Sequence, residues 1–301
     1  MTNAEIEAFI TVCEQKSISK AAEKLFISQS SLSTKIKTLE KEIGCPLIIR
    51  AKGQRTVSLT EYGQKFLELS VKYREIVSDM LSLSGKHKSV TLRVSSFNSL
   101  GTYIFAPVYE KFMSEMPDAI LEVQDMGTFS AYRSISEGLT DMAFTVREQK
   151  AEKIISYPVF SESMVFVCSK QSPFPDIVDI SMLDLKNEIF IDWCFEFSDW
   201  HKDIFGERAM PQIKLEIMSQ LEFFISKKNY WAIVPSSVAH NLKQTTDIKI
   251  CHMSFDVPKR ISFCVYIQDK TKQPLINCFI NCLKEVLTNM QNHGIGIEIH
   301  M

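Results

Sequence analysis

Residues 28–34 read SQSSLST, and six of these seven side chains carry a hydroxyl or an amide. Ser and Thr are mediocre helix formers, so a helix that opens this way gives up propensity for short polar groups. Such groups can hydrogen-bond base edges and phosphate oxygens without steric exclusion. Leu32, Ile36, Leu39 and Ile43 follow helical spacing and form an apolar face. That leaves Ser28, Gln29, Ser30, Ser31, Ser33 and Thr34 at the outward helix start, with Lys35 and Lys37 placed to reach phosphates. Free N–H groups at a helix start favour phosphate oxygens as well. The bland alternative is a solvated helix with an over-polar first turn.

Those side chains need a platform. Ile6, Phe9, Ile10 and Cys13 fall at i, i+3, i+4, i+7, one face of a first helix. Ser17 or Ser19 can cap a second helix that carries Ala21, Ala22 and Leu25, the paired alanines allowing close approach of a neighbour. FIS is a short turn, Ser28 caps the third helix, and Gly44 with Pro46 stops it. Two short helices joined by a tight turn form the helix-turn-helix plan, whose second helix enters the DNA major groove by its N-terminal residues. The stretch LIIRAKGQRTVSLT then predicts a hairpin with a turn at 51–54, a wing carrying Arg50, Lys52 and Arg55 for backbone contacts.

Beyond Thr60, a helix runs to about Leu83. Tyr62, Phe66, Leu69, Tyr73, Ile76, Met80 and Leu83 keep a 3.5-residue repeat, the signature of helix-on-helix pairing. A small domain gives such a helix little of its own chain to lie on, so the same helix of a second copy is the expected partner. Leu67, Val71, Val77 and Leu81 widen the apolar face and suggest that one flank rests on the head. A dimer would present two recognition helices to a partial inverted repeat in double-stranded DNA. SGKHKS at 84–89 reads as a hinge. After it, strand-like and helix-like segments alternate, which predicts parallel sheets with helices on their faces in two α/β lobes. The expected crossings lie near 160 and 267.

Ligands of open α/β sheets bind beyond the carboxyl ends of the strands. That selects Ser96, Phe97, Asn98 and Ser99, then Thr128, Arg147, Trp193 and Ser219, as candidate effector contacts. Ser96, Asn98 and Ser99 sit where a helix start would favour a carboxylate, and Arg147 could pair with it. Capping and surface pairing are the bland alternatives. DWCFEFSDW at 192–200 holds four aromatics that either line a pocket or pack between lobes, and His201 beside it is expected to cap or face solvent.

From Phe9 to Gly63 the chain resembles the LysR-type transcriptional regulators. Their S-x-x-x-A-A-x-x-L, S-Q-P-A-L-S, I-x-x-L-E-x-x-L-G, L-F-x-R and L-T-x-A-G runs have counterparts here, with Ser30, Thr34, Ile48 and Tyr62 as departures. TLRVSSFNSLGTYIFAPVYEKFMSEMPDAILEV and SEGLTDMAF are similar to the family's effector domain, Thr140 being inserted before Asp141. YWAIVP stands where relatives have G-x-x-x-L-P. The resemblance implies an all-α winged helix-turn-helix domain (1–59), a linker and dimerisation helix (60–84) and an α/β effector domain (85–301). The effector domain would be two Rossmann-like lobes, 90–160 with 268–301 and 161–267, related in fold to solute-binding proteins. It also implies dimers built into tetramers and a small-molecule effector, an organic anion on the reading above. RNA polymerase is a further candidate partner. No cofactor or metal is expected.

The 301-residue chain is 45% apolar and 23% charged, an ordinary globular balance. Residues 1–88 hold 14 basic and 10 acidic side chains against 20 and 26 in the rest, so a basic head sits on an acidic body. With neither a long apolar run nor a signal-like N-terminus, the expectation is a cytoplasmic protein without membrane contact. Eight cysteines form no C-x-x-C pair and read as free thiols; Cys278 and Cys282 share a helix face, where packing outweighs a metal or redox role. Enzyme motifs such as G-x-x-x-x-G-K-[ST], G-x-S-x-G and H-E-x-x-H are missing. The competing readings are a constitutive regulator with a vestigial pocket, a solute-binding module, and an enzyme on an α/β scaffold.

Overall fold

The computed structural model of the chain describes residues 1–50, 56–82, 90–207, 210–269 and 271–301. The expected wing turn at 51–54, Leu83 and the expected hinge at 84–89 lie outside them. The chain divides into two compact units, Met1–Val90 with Arg133–Thr140, and Thr91–Tyr132 with Asp141–Met301.

The first unit begins with three helices, α1 (Asn3–Gln15), α2 (Ile18–Lys24) and α3 (Gln29–Ile43). Each is capped by a side chain that accepts a backbone N–H: Thr2 from Glu5, Ser17 from Lys20 and Ser28 from Ser31. Ile6, Phe9, Ile10, Ala21, Ala22, Leu32, Ile36 and Leu39 close into one core. Helix α3 ends at Gly44, whose φ of 83° suits glycine. Strands β1 (Ile48–Arg50) and β2 (Val57–Leu59) pair antiparallel. The Glu40 carboxylate accepts the N–H groups of Leu47 (2.8 Å) and Ile48 (3.1 Å), which fixes where the hairpin leaves α3. Helix α4 (Glu61–Ser82) follows. Its first turn crosses the Leu47 backbone so closely that a Cβ on Gly63 would stand 2.0 Å from the Leu47 carbonyl oxygen, so only glycine fits there.

The second unit is built on two main sheets. From Thr91 on, the elements are β3 (Thr91–Ser96), α5 (Asn98–Leu100), α6 (Ala106–Glu115), β4 (Ile120–Asp125), α7 (Thr128–Ser136, whose end belongs to the first unit), β5 (Met142–Thr145), β6 (Ile154–Glu162) and β7 (Met164–Ser169). Then come β8 (Ile177–Val178), β9 (Ile189–Ile191), α8 (Phe195–Phe205), β10 (Ile213–Leu215), α9 (Leu221–Ile225), β11 (Trp231–Pro235), α10 (Ser236–Thr245) and β12 (Ile248–Met253). The chain closes with β13 (Arg260–Ile267), α11 (Gln273–Asn292) and β14 (Ile297–Ile299). The larger sheet has the order β14-β6-β13-β5-β3-β4 and the smaller one β11-β7-β12-β8, while β9 and β10 pair in parallel beside them.

Two expectations need correction. Residues 260–267 were expected in the second lobe, yet β13 lies inside the larger sheet between β6 and β5. Ser161 and Glu162 belong to β6 of the same sheet. The chain therefore crosses at Ser163 and again between Met253 and Arg260. An apolar strand does not reveal which sheet it will join, because its pairing partner is distant in sequence. Second, pairing is mixed: β4, β3 and β5 are parallel, whereas β13, β6 and β14 run antiparallel. Strands that cross between sheets arrive without a covering helix, so they are not bound to the parallel sense. Of the aromatic segment 192–200, the residues from Phe195 onward form the start of α8. The C-terminal stretch adds β14 to the edge of the larger sheet.

Candidate functional site

In the first unit, α3 buries Leu32, Ile36 and Leu39 and turns its N-terminal groups outward. Ser28, Gln29, Ser30, Ser31, Thr34 and Lys37 are exposed, and Ser33 and Lys35 are half-buried. Short local bonds hold the polar turn in place: the Ser28 and Ser30 hydroxyls lie 2.9 Å apart, and the Thr34 hydroxyl donates to the Ser30 carbonyl at 3.0 Å. Ser19 on α2 donates to the Gln29 side-chain oxygen at 3.4 Å. The surface is a row of small donors and acceptors backed by a packed helix, which suits reading of a groove. Lys52, Arg55 and the side chain of Arg50 lie outside the described residues.

Helix α4 has two apolar faces. Leu67 and Val71 enter the core of the head, and Phe66 meets Phe9 edge-on at 5.2 Å between ring centroids. Tyr62, Leu69, Ile76 and Met80 are each more than half exposed, and Tyr73 is 39% exposed. Among the candidate dimer contacts, then, Phe66 is partly used by the head, while the other described members form an open stripe. An exposed apolar stripe about 27 Å long on a helix is a surface made for covering.

In the second unit, the candidate effector residues fall into two sets. Ser99, Phe97 and Trp193 converge, but on an arginine that the sequence reading passed over. Arg260 is fully buried, and its Nη1 donates to the Ser99 hydroxyl at 2.7 Å. Its guanidinium carbon lies 5.1 Å from the centroid of the Phe97 ring and 5.5 Å from the Trp193 ring. Its other nitrogens bond the equally buried Glu162 carboxylate, Nε at 3.2 Å and Nη2 closer still. Glu162 accepts, in addition, the N–H of Ser237 at the start of α10, at 3.2 Å. The Trp193 indole N–H donates to the Ile233 carbonyl at 2.8 Å, which locks that wall to β11. Two opposite charges out of water are tolerable only with such complete bonding.

Ser96 is buried beside this cluster in sequence, and Asn98 is exposed. Arg147, expected opposite the serines, is exposed and lies over the Phe195 ring at 5.1 Å; the arginine that meets Ser99 is Arg260 instead. Thr128 is half-buried at the start of α7, and Ser219 is exposed in a single turn at Met218–Gln220. His201 is another correction. It is buried, with Nε2 at 2.9 and 3.0 Å from the Glu188 carboxylate oxygens and Phe190, Phe197 and Phe205 around it. Burial holds the Glu188 carboxyl above its ordinary range, with His201 opposing the shift. The i, i+4 spacing of Phe197, His201 and Phe205 was the available signal for an inward face.

These features meet their counterparts in known proteins. The chain matches the family described as bacterial regulatory helix-turn-helix protein, lysR family, over residues 4–64, and the LysR substrate binding domain over residues 85–288. It is 33% identical over 138 residues to the HTH-type transcriptional regulator BenM of Acinetobacter baylyi, a match spanning 45% of each chain and so under half the length of that relative. In fold it is similar to a full-length OxyR variant from Pseudomonas aeruginosa (TM-score 0.65, 19% identity, 94% of this chain and 95% of that one). It is also similar to full-length LysG from Corynebacterium glutamicum (TM-score 0.61, 14% identity, 95% and 99%). With a helix-turn-helix head, a long linker helix and a two-sheet α/β body, and with the family's two domains matched along most of its length, the chain belongs to the LysR family of transcriptional regulators.

Proposed function

We propose that this protein binds double-stranded DNA sequence-specifically as a dimer or tetramer and regulates transcription under the control of a small molecule. The observation that carries the reading is α3, whose apolar face is buried while its hydroxyl and amide groups stand exposed at the N-terminus. Phosphate contacts from Lys35, Lys37 and the wing supply affinity, and Gln29 with the serines supplies discrimination. The open stripe Tyr62, Leu69, Tyr73, Ile76 and Met80 supports pairing of two α4 helices. Such a pair would set two recognition helices on a partial inverted repeat. RNA polymerase contact and body-to-body assembly into tetramers belong to the same proposal.

The effector reading rests on the convergence of Phe97, Ser99 and Trp193 around one buried guanidinium. An acid is the ligand class a guanidinium serves best, and it would take over the bonds that Glu162 now makes. A ligand that favours one arrangement by about 1–3 kcal/mol would shift promoter occupancy measurably. The domain boundaries proposed are a head to 59, a linker to 84 and the effector domain beyond. The chemistry proposed is binding rather than turnover. Among the described residues no helix is long and apolar enough to cross a membrane. The test is selection of DNA fragments on the purified full chain, followed by titration of the recovered site against a scrambled one. Enrichment of a partial inverted repeat supports the reading; no enrichment rejects it.

A further inference from the structure

A thiol pair in the second unit has no part in the functions above. Cys278 and Cys282 lie one turn apart on α11, which places both sulfurs on the same face. Both are buried, Cys282 completely. A third donor reaches them from another element: Glu115, the last residue of α6, accepts from the Cys278 thiol at 3.4 Å. The two sulfurs and one carboxylate oxygen all lie within 4.8 Å of one another. A tetrahedral zinc with its usual bond lengths sets its sulfur and oxygen ligands roughly 3.5–3.8 Å apart, so small side-chain adjustments suffice. Glu115 is exposed while both thiols are buried. Lys111 stands 3.8 Å from the other Glu115 oxygen and also pairs with Glu285.

We propose that Cys278, Cys282 and Glu115 bind a thiophilic d10 metal ion, of the Zn2+ or Cd2+ kind, with water as the fourth ligand. Two thiolates select against magnesium and calcium, which prefer all-oxygen shells. Binding breaks two S–H bonds and forms two sulfur–metal bonds, and the two protons leave to solvent. The site shares no residue with α3 or with the Arg260 cluster, so its success or failure does not bear on DNA binding.

The test is titration of reduced, metal-free full chain with Co2+, read by thiolate-to-cobalt charge-transfer absorption, and then with Zn2+ to displace the cobalt. The expected result is one equivalent per chain, bleached by Zn2+. Cys278→Ser with Cys282→Ser should abolish the band. Glu115→Gln, at an exposed position that leaves the core intact, should weaken binding by about ten-fold or more. Cys168→Ser with Cys251→Ser should leave the band unchanged. A wild-type chain without the band, a band that survives in the Cys278/Cys282 variant, or unchanged affinity in Glu115→Gln would each overturn the site.

Discussion

The face of α3 and the Arg260 cluster are opposite ways of arranging polar groups. On α3 the groups are contiguous in sequence, exposed and only lightly bonded to one another. Around Arg260 they come from positions 161 and 98 residues away, are buried and bond one another. The first arrangement leaves hydrogen-bonding capacity for something outside the chain. The second spends nearly all of it inside, where an unpaired charge would be expensive. Function at α3 follows from what is left free. At Arg260 it would follow only from an exchange of partners.

The largest effect should come from the surface that completes the display. Leu69→Glu with Ile76→Glu would bury like charges across a two-fold contact, at several kcal/mol per ion. Sedimentation should show monomers, and operator binding should be lost while the body stays folded. A dimer that survives would place the contact elsewhere. Next is the buried cluster. Glu162→Ala leaves the Arg260 charge buried and unpaired and should cost about 3–5 kcal/mol in denaturant unfolding. Glu162→Leu with Arg260→Met should recover most of it. A silent Glu162→Ala would show that the cluster is not the closed network described.

Gln29→Ala should cost about 1–3 kcal/mol on the selected DNA site and little on unrelated DNA, by fluorescence anisotropy. Equal losses on both would make Gln29 a backbone contact. The smallest effect concerns Glu188. Burial raises its carboxyl above the ordinary 4.5, so the folded chain holds this proton more tightly than the unfolded one. Its contribution to stability is therefore full below pH 4.5 and fades as pH rises through the folded value. Glu188→Gln should flatten that slope in pH-dependent unfolding. An unaltered slope would assign the pH dependence to other groups.

The same contrast explains how much was legible in the sequence. The caps Ser17 and Ser28, the alanine pair and the Leu32-Ile36-Leu39 face are local signals, and each sets its own neighbourhood. The exposed members of the 3.5-residue repeat on α4 were readable for the same reason. Arg260 gave no such signal: it opens an apolar strand, and its partners Glu162 and Ser99 meet it only through sheet pairing. The sheet to which β13 belongs was hidden by the same nonlocality. His201 carried a local clue in its spacing with Phe197 and Phe205, but its partner Glu188 lies before β9. Arg147 was chosen by rule for its place after a strand, and its guanidinium lies over the Phe195 ring.

The central claim is that the exposed start of α3 reads DNA sequence while lysines supply affinity. The direct measurement is binding of the full chain to its selected site and to a scrambled duplex across a salt series, for wild type, Gln29→Ala and Ser33→Ala. The account predicts that wild-type affinity for both duplexes falls steeply with salt in parallel lines, separated by a sequence-dependent gap. Gln29→Ala should narrow the gap by about ten-fold or more and leave the slopes unchanged. Identical binding to the two duplexes by the wild-type chain, or a gap untouched by Gln29→Ala and by Ser33→Ala alike, would contradict it.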